Sequence, residues 1–148
     1  PHRRAIVITF KQLSVFVENK PGRLAEITDT LENNNINIMA LSVADTTNFG
    51  ILRIIVNSPD KAVEALKGAG FKVSLTNVIA IGVNDCPGGL SKAMHSLCDA
   101  GMSVEYMYAF VGRKENFAYV ILRVEDTAAA EQALTKSGVM IITTEDII

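Results

Sequence analysis

A chain of 148 residues that is 49% hydrophobic and 20% charged has globular composition, which excludes a disordered or fibrous chain. Its net charge is −2 and its basic residues are scattered, apart from His2-Arg3-Arg4, so neither nucleic acid nor an anionic membrane is expected as a partner. The apolar run after that cluster, residues 5–8, is too short for a signal-peptide core or a membrane span, and a cytoplasmic protein is expected.

Residues 1–11 have no counterpart later in the chain and read as a tail, or Ile6 to Phe10 as an extension of the first strand. Leu13 to Val17 is short, apolar and β-branched, which predicts a strand. The turn Glu18-Asn19-Lys20-Pro21-Gly22-Arg23-Leu24 follows, and a helical pattern leaves it: Leu24, Ile27, Thr28 and Leu31 on one side, Glu26, Asp29 and Glu32 on the other. Asn33-Asn34-Asn35 ends the helix, because asparagine tolerates a left-handed C-cap. Ile36 to Ala44 and Gly50 to Val56 predict a hairpin across the turn at 45–48. Ser58 and Pro59 start a second helix, with Val63, Leu66 and Ala69 as its buried stripe and Gly68 and Gly70 as its stop. Phe71 to Thr76 is a fourth strand.

The series then repeats. Val78 to Val83 predicts a strand, followed by Asn84-Asp85-Cys86-Pro87-Gly88-Gly89-Leu90. The interval from Asn19 to Asp85 equals that from Gly22 to Gly88. Leu90, Ala93, Met94 and Leu97 repeat the first helix at the same offset. Met102 to Phe110 and Ala118 to Val124 predict the second hairpin. Leu52-Arg53 recurs as Leu122-Arg123 at a wider interval, which predicts a turn about four residues longer. Thr127 to Lys136 is the last helix and Val139 to Thr144 the last strand. Self-similarity at a fixed period is strong evidence for a tandem repeat. The expected class is α+β: two βαββαβ ferredoxin-like units, residues 12–77 and 78–148, each an antiparallel sheet with its helices on one face. Apolar residues point both ways on the hairpin strands, so the second face of the sheet is expected to be covered by the other copy or by a second subunit.

Each Pro-Gly turn leads a bare backbone into a helix N-terminus, where unpaired N–H groups and the helix dipole favour an anion. A free amino acid carries a carboxylate and an ammonium on one carbon. The N–H groups at Gly22 to Leu24 suit the first, and the side-chain oxygen of Asn19 or the carboxylate of Asp85 suits the second. The plainer reading makes Asn19 and Asp85 ordinary helix N-caps. Arg53 and Arg123 are expected in salt bridges or at an exposed rim. Tyr106 and Tyr108 share a strand face and are expected to pack, and His95 reads as a solvated helix residue. Cys86 and Cys98 fit no zinc spacing and read as free thiols; no metal or cofactor is expected.

The signature of an apolar strand, Asn/Asp-x-Pro-Gly-x-Leu, a helix, then a small residue and Ile/Val opening a strand resembles the ACT domain, an amino-acid-sensing module attached to many biosynthetic enzymes. Both copies carry it across residues 12–148. The first is similar to the serine-sensing domain of phosphoglycerate dehydrogenase. That resemblance implies ligand contacts at Asn19 and at Asn37, which opens the second strand. In the second copy Asp85 keeps the first role and Ser103 replaces the second asparagine. It also implies sites between two ACT units, with Asn37 acting from the facing one. The resulting site set is Asn19, Pro21, Gly22, Arg23, Leu24, Asn37, Asp85, Pro87, Gly88, Gly89, Leu90 and Ser103. The expected function is a non-enzymatic, stand-alone regulatory module that binds a free L-amino acid, pairs as a homodimer through sheet faces or edges, and acts allosterically on its own assembly or on a partner enzyme. One alternative is a docking scaffold without a ligand. Another is an acylphosphatase-like hydrolase using Arg23, although Gly89 replaces that arginine in the second copy. An RRM-type RNA binder would need aromatics on the central strands within a basic surface, and Tyr119 stands alone there.

Overall fold

In the computed structural model of the chain, residues 9–45, 49–110 and 115–143 are described. They form, in order, β1 (Thr9–Glu18), α1 (Arg23–Asn33), β2 (Ile38–Asp45), β3 (Phe49–Val56), α2 (Pro59–Gly68), β4 (Lys72–Asn84), α3 (Gly89–Asp99), β5 (Val104–Phe110), β6 (Phe117–Val124), α4 (Thr127–Lys136) and β7 (Met140–Ile142). This is the expected β-α-β-β-α-β series, twice. Residues 6–8 of the possible strand extension, 46–48 of the first hairpin turn and Thr144 lie outside the described residues. Lys11–Thr76 makes one compact unit, and the chain from Asn77 onwards forms the body of the other.

One strand replaces two predicted ones. Phe71 to Thr76 and Val78 to Val83 read as separate strands, but β4 runs unbroken from Lys72 to Asn84. Nothing between Phe71 and Ile81 breaks an extended backbone: the stretch has no Gly or Pro and is rich in Val, Ile and Thr.

In the first unit the strand order is β2-β3-β1-β4. β3 lies antiparallel to both β1 and β2, with Val15 opposite Leu52 and Leu41 opposite Ile54. Leu13, Val15, Val17, Leu52, Ile54 and Val56 project from one sheet face onto Ile27 and Leu31 of α1 and Ala62 and Leu66 of α2. Each fully buried Leu or Ile among them adds roughly 1.5–3 kcal/mol. The α2 stripe differs from expectation. Ala62 and Leu66 are buried, Val63 is partly so, and Ala69 is exposed because it is already the C-cap. In α1, Leu24 and Thr28 are exposed, so Ile27 and Leu31 anchor the helix.

In the second unit the order is β5-β6-β4-β7. Ile79, Ile81, Val120, Leu122 and Val124 pack on Ala93 and Leu97 of α3 and Ala130 and Leu134 of α4. On the opposite face Val78, Ala80, Ile121 and Ile142 are also fully buried, so the middle of this sheet is buried on both sides.

The register corrects the repeat. Leu13 pairs with Ile54 and Ile79 with Leu122. The step from Ile54 to Leu122 exceeds that from Leu13 to Ile79 by two, so the second hairpin turn is two residues longer rather than four. Val56 and Val124, Leu66 and Leu134, and Val73 and Ile141 obey the same larger offset. Arg53 and Arg123 are therefore not equivalent: Arg53 lies opposite Ser14 and Ser42, whereas Arg123 lies opposite Tyr106 and occupies the position of Ile55. The Leu-Arg dipeptide recurs by coincidence on the same strand face. Arg123 does meet a carboxylate, at 3.0 Å from Glu105, and donates to the Asn77 carbonyl at 3.0 Å. Tyr106, Tyr108 and Phe110 share its face, and the Phe110 ring lies 5.3 Å from Tyr119. No helix among the described residues is long and apolar enough to cross a membrane.

Candidate functional site

The two Pro-Gly turns have the same backbone. In the first, Lys20 N–H donates to the Glu18 carbonyl at 2.8 Å and Arg23 N–H to the Lys20 carbonyl at 3.4 Å. In the second, Cys86 N–H donates to Asn84 at 2.9 Å and Gly89 N–H to Cys86 at 3.1 Å. Each turn then places a glycine at the N-cap with left-handed backbone: Gly22 at φ 87° and Gly88 at φ 88°. A side chain in that conformation costs roughly 1–2 kcal/mol. Open space surrounds both glycines, with no atom within 4 Å of where a Cβ would stand.

This geometry excludes the plain capping reading. Asn19 and Asp85 lie three residues before their N-caps, and no side chain caps α1 or α3. A true cap looks different: the Asp126 carboxylate accepts from Ala129 N–H at 3.0 Å at the start of α4. Asn19, Pro21, Asp85 and Pro87 are all exposed beside their turns, and Leu24 is more open than Leu90. Each turn thus offers uncapped helix N–H groups with an exposed polar side chain next to them.

The first turn is strongly charged. Arg23 lies 3.0 Å from Glu26 and 3.9 Å from Glu18, and Lys20 lies 3.1 Å from Glu18. The hydrogen bond from Lys20, then the Lys20 and Arg23 charges, hold the Glu18 carboxyl below its ordinary value. Its small contribution to stability is present above the unfolded-state pKa and is lost as pH falls through the lower folded one. Lys20→Ala is expected to move the Glu18 midpoint upward, as read by carboxyl NMR titration; an unchanged midpoint would remove Lys20 as the main cause.

Gly89 has a reason of its own. A Cβ there would run into the Asn84 carbonyl oxygen and stand 3.1 Å from the Asn84 carbonyl carbon. The second turn folds back so tightly that only glycine fits, whereas Arg23 is accommodated at the matching place in the first. The glycine reflects the turn's own packing, not ligand access. Both cysteines are free and exposed, and His95 is exposed.

Asn37 and Ser103 sit elsewhere. Asn37 follows the C-terminal end of α1, and an eleven-residue helix at 1.5 Å per residue puts it roughly 16 Å from the turn. Its N–H donates to the Asn57 side-chain oxygen at 3.0 Å, and Asn57 N–H donates to its carbonyl at 3.2 Å. It lines a 440 Å³ cleft with Glu32, Asn35 and Asn57; Ser103 lines a 720 Å³ one with Glu105, Glu125 and Asp126. Within one unit the structure does not bring Asn37 to Asn19, or Ser103 to Asp85.

Sequence reasoning missed the cleft that does adjoin the first turn. It measures about 270 Å³ and is lined by Phe16, Glu18, Arg23, Phe49, Phe71 and Lys72, among others. A signal existed in β1: strict alternation puts Phe16 opposite to the buried Val15 and Val17, and a large aromatic on an open strand face is unusual. A cleft of about 240 Å³ adjoins the second turn, lined by Gly82, Asn84, Gly89, Lys92, Phe117 and Met140, among others.

Residues 8–148 match the family model described as an ACT domain pair. No curated protein matches the chain. Among solved structures, protein BT0572 from Bacteroides thetaiotaomicron is 41% identical over 95% of this chain and 96% of that one, with a TM-score of 0.88. The regulatory subunit of aspartate kinase from Thermus thermophilus is 18% identical over 90% and 95% of the two chains, with a TM-score of 0.66. Its counterpart from Thermus flavus is 17% identical over the same shares, with a TM-score of 0.64. At those identities the two kinase subunits share the fold alone.

Proposed function

The chain belongs to the ACT domain pair family, and from that premise we propose that it is a regulatory module that senses a free L-amino acid and has no catalytic role of its own. The ligand carboxylate takes the helix N–H groups from Leu24 or Leu90 onward, since those of Arg23 and Gly89 already donate within their turns. Its ammonium is held by the Asn19 oxygen or the Asp85 carboxylate. Asn37 or Ser103 completes the site from the facing unit of a homodimer, which accounts for their distance from the turns of their own unit. Binding then shifts assembly, or the activity of a partner enzyme, by as much as the ligand prefers one state over the other.

The observation that carries this reading is the paired left-handed glycine N-cap, left uncapped by side chains and open to solvent in both units. A hydrolase reading has less support. Its arginine would be Arg23, and Gly89 stands at the matching place of the second unit, so the duplicated turn does not carry that chemistry.

A thermal-shift screen with the twenty L-amino acids tests the proposal. A ligand at a hundred times its Kd adds about 2.7 kcal/mol, a rise of several degrees for a chain of this size. One or a few amino acids are expected to give that rise, and Asn19→Ala or Asp85→Ala to abolish it. No rise with any of the twenty would return the turns to a structural role and favour the docking scaffold.

A further inference from the structure

We infer that the cleft beside the first Pro-Gly turn is the specificity pocket of the sensor and takes an α-amino acid with an aromatic side chain, while the matching cleft of the second unit takes none. The inference rests on the reading above that the chain binds a free amino acid.

The two clefts are the same place in the fold. Through the offsets that the strand register fixes before and after the hairpins, Glu18, Arg23 and Lys72 correspond to Asn84, Gly89 and Met140. One carboxylate and two cations in the first unit have become three uncharged residues in the second. Phe16 and Phe71 correspond to Gly82 and Val139, and only the aromatic pair Phe49 and Phe117 is kept. Lys92 adds a cation to the second cleft, but it stands at the place of Glu26 and has no carboxylate opposite it there.

The first cleft matches a zwitterion that carries a ring. Glu18, next to Asn19 in the chain, adds to its hold on the ammonium, and Arg23 and Lys72 add to that of the helix N–H groups on the carboxylate. The surface ion pairs of Glu18 and Arg23 are worth little individually, so a ligand can exchange with them. Phe16 is 44% exposed and Phe49 52% exposed, so two aromatic rings face solvent within one cleft. Leaving them open forgoes burial energy that a planar apolar side chain would recover. The Lys72 ammonium already lies 5.8 Å from the centre of the Phe16 ring, which keeps a cation at the mouth of the aromatic surface. About 270 Å³ is room for one amino acid and little more. The second cleft, at about 240 Å³, is nearly as roomy, but it has no counterpart of the Phe16 ring: a Cβ on Gly82 would already stand 3.2 Å from both Ile142 Cδ1 and Met140 Sδ.

Isothermal titration of the full chain separates this inference from the reading beneath it. The four amino acids with aromatic rings are compared with L-alanine, L-serine, L-leucine and L-aspartate, and with 3-phenylpropionate and phenethylamine, which each lack one of the two charges. At least one aromatic amino acid is expected to bind ten-fold or more tighter than any of the other four, and both single-charge analogues to lose at least ten-fold against it. Phe16→Ala should weaken binding ten-fold or more. Lys72→Met, which installs the residue of the second unit at an exposed position, should weaken it several-fold without affecting folding. Lys92→Ala should leave it unchanged. Tighter binding of an aliphatic or acidic amino acid, or full affinity in both Phe16→Ala and Lys72→Met, would overturn the pocket while leaving the sensor standing. Binding of no amino acid at all would overturn both.

Discussion

Gly89→Ala is expected to destabilise the protein by about 3 kcal/mol, at the upper end of the cost of forcing an extra carbon into packed structure. The added methyl would meet the Asn84 carbonyl, a backbone group at the end of β4 that cannot swing aside as a side chain does. Relief would need a shift of either the strand end or the first turn of α3. For a chain of this length such a loss lowers the melting temperature by about 10 °C. Arg23→Ala is the natural control. It changes the matching position of the first unit, where a side chain is already accommodated and where the ion pairs are exposed, so a change within about 0.5 kcal/mol is expected. Equal melting temperatures for Gly89→Ala and the parent chain would mean that the second turn is looser than its geometry indicates.

Leu97→Ala is expected to cost about 3 kcal/mol as well, through a cavity rather than a clash. Leu97 is fully buried with Ile79, Ile81, Leu122 and Leu134, and its carbonyl accepts from Met102 N–H at 2.9 Å as the chain leaves α3. It is therefore the main anchor of the helix whose N-terminus follows Gly88. Loosening that anchor should reduce any binding at the second turn along with stability, which an exposed substitution such as Asp29→Ala would not do to the first. Chemical denaturation reads the stability loss directly. A loss under about 1 kcal/mol, well below the usual cost of a buried Leu→Ala change, would show that α3 is held mainly by its partly buried neighbours Leu90 and Met94.

Two units that share a fold and a turn need not share a ligand. The uncapped glycine N-terminus is retained in both, because it depends on a short local motif. The surrounding clefts differ, since the lining of each comes from several separate elements and no single motif fixes it. In the second unit Val78, Ala80, Ile121 and Ile142 are fully buried on the face away from the helices.

Much of the architecture was legible from local signals. The periodicity of Ile27 and Leu31, the Ser58-Pro59 helix start and the asparagine run ending α1 each act within a few residues, and the elements formed where those signals stood. The duplication was legible because two Asn/Asp-x-Pro-Gly turns, each fed by an apolar strand and followed by the same helix pattern, are hard to produce by chance. The division at Thr76-Asn77 was not, since a pair without a breaker leaves the strand free to continue.

What the sequence determined by itself was therefore the repeat, the order of elements and the bare helix N-termini, all governed by backbone preferences and patterning over a few residues. Tertiary structure alone decided the rest. Strand pairing set the offset beyond the hairpins and separated Arg53 from Arg123, because a register is chosen by which apolar faces meet the helices and not by a matching dipeptide. Packing also decided that Gly89 answers to the Asn84 carbonyl, and it gathered Phe16, Glu18, Phe49 and Lys72 around one cleft. Those residues come from three strands far apart in the chain, and no local rule joins groups that meet only when a sheet closes.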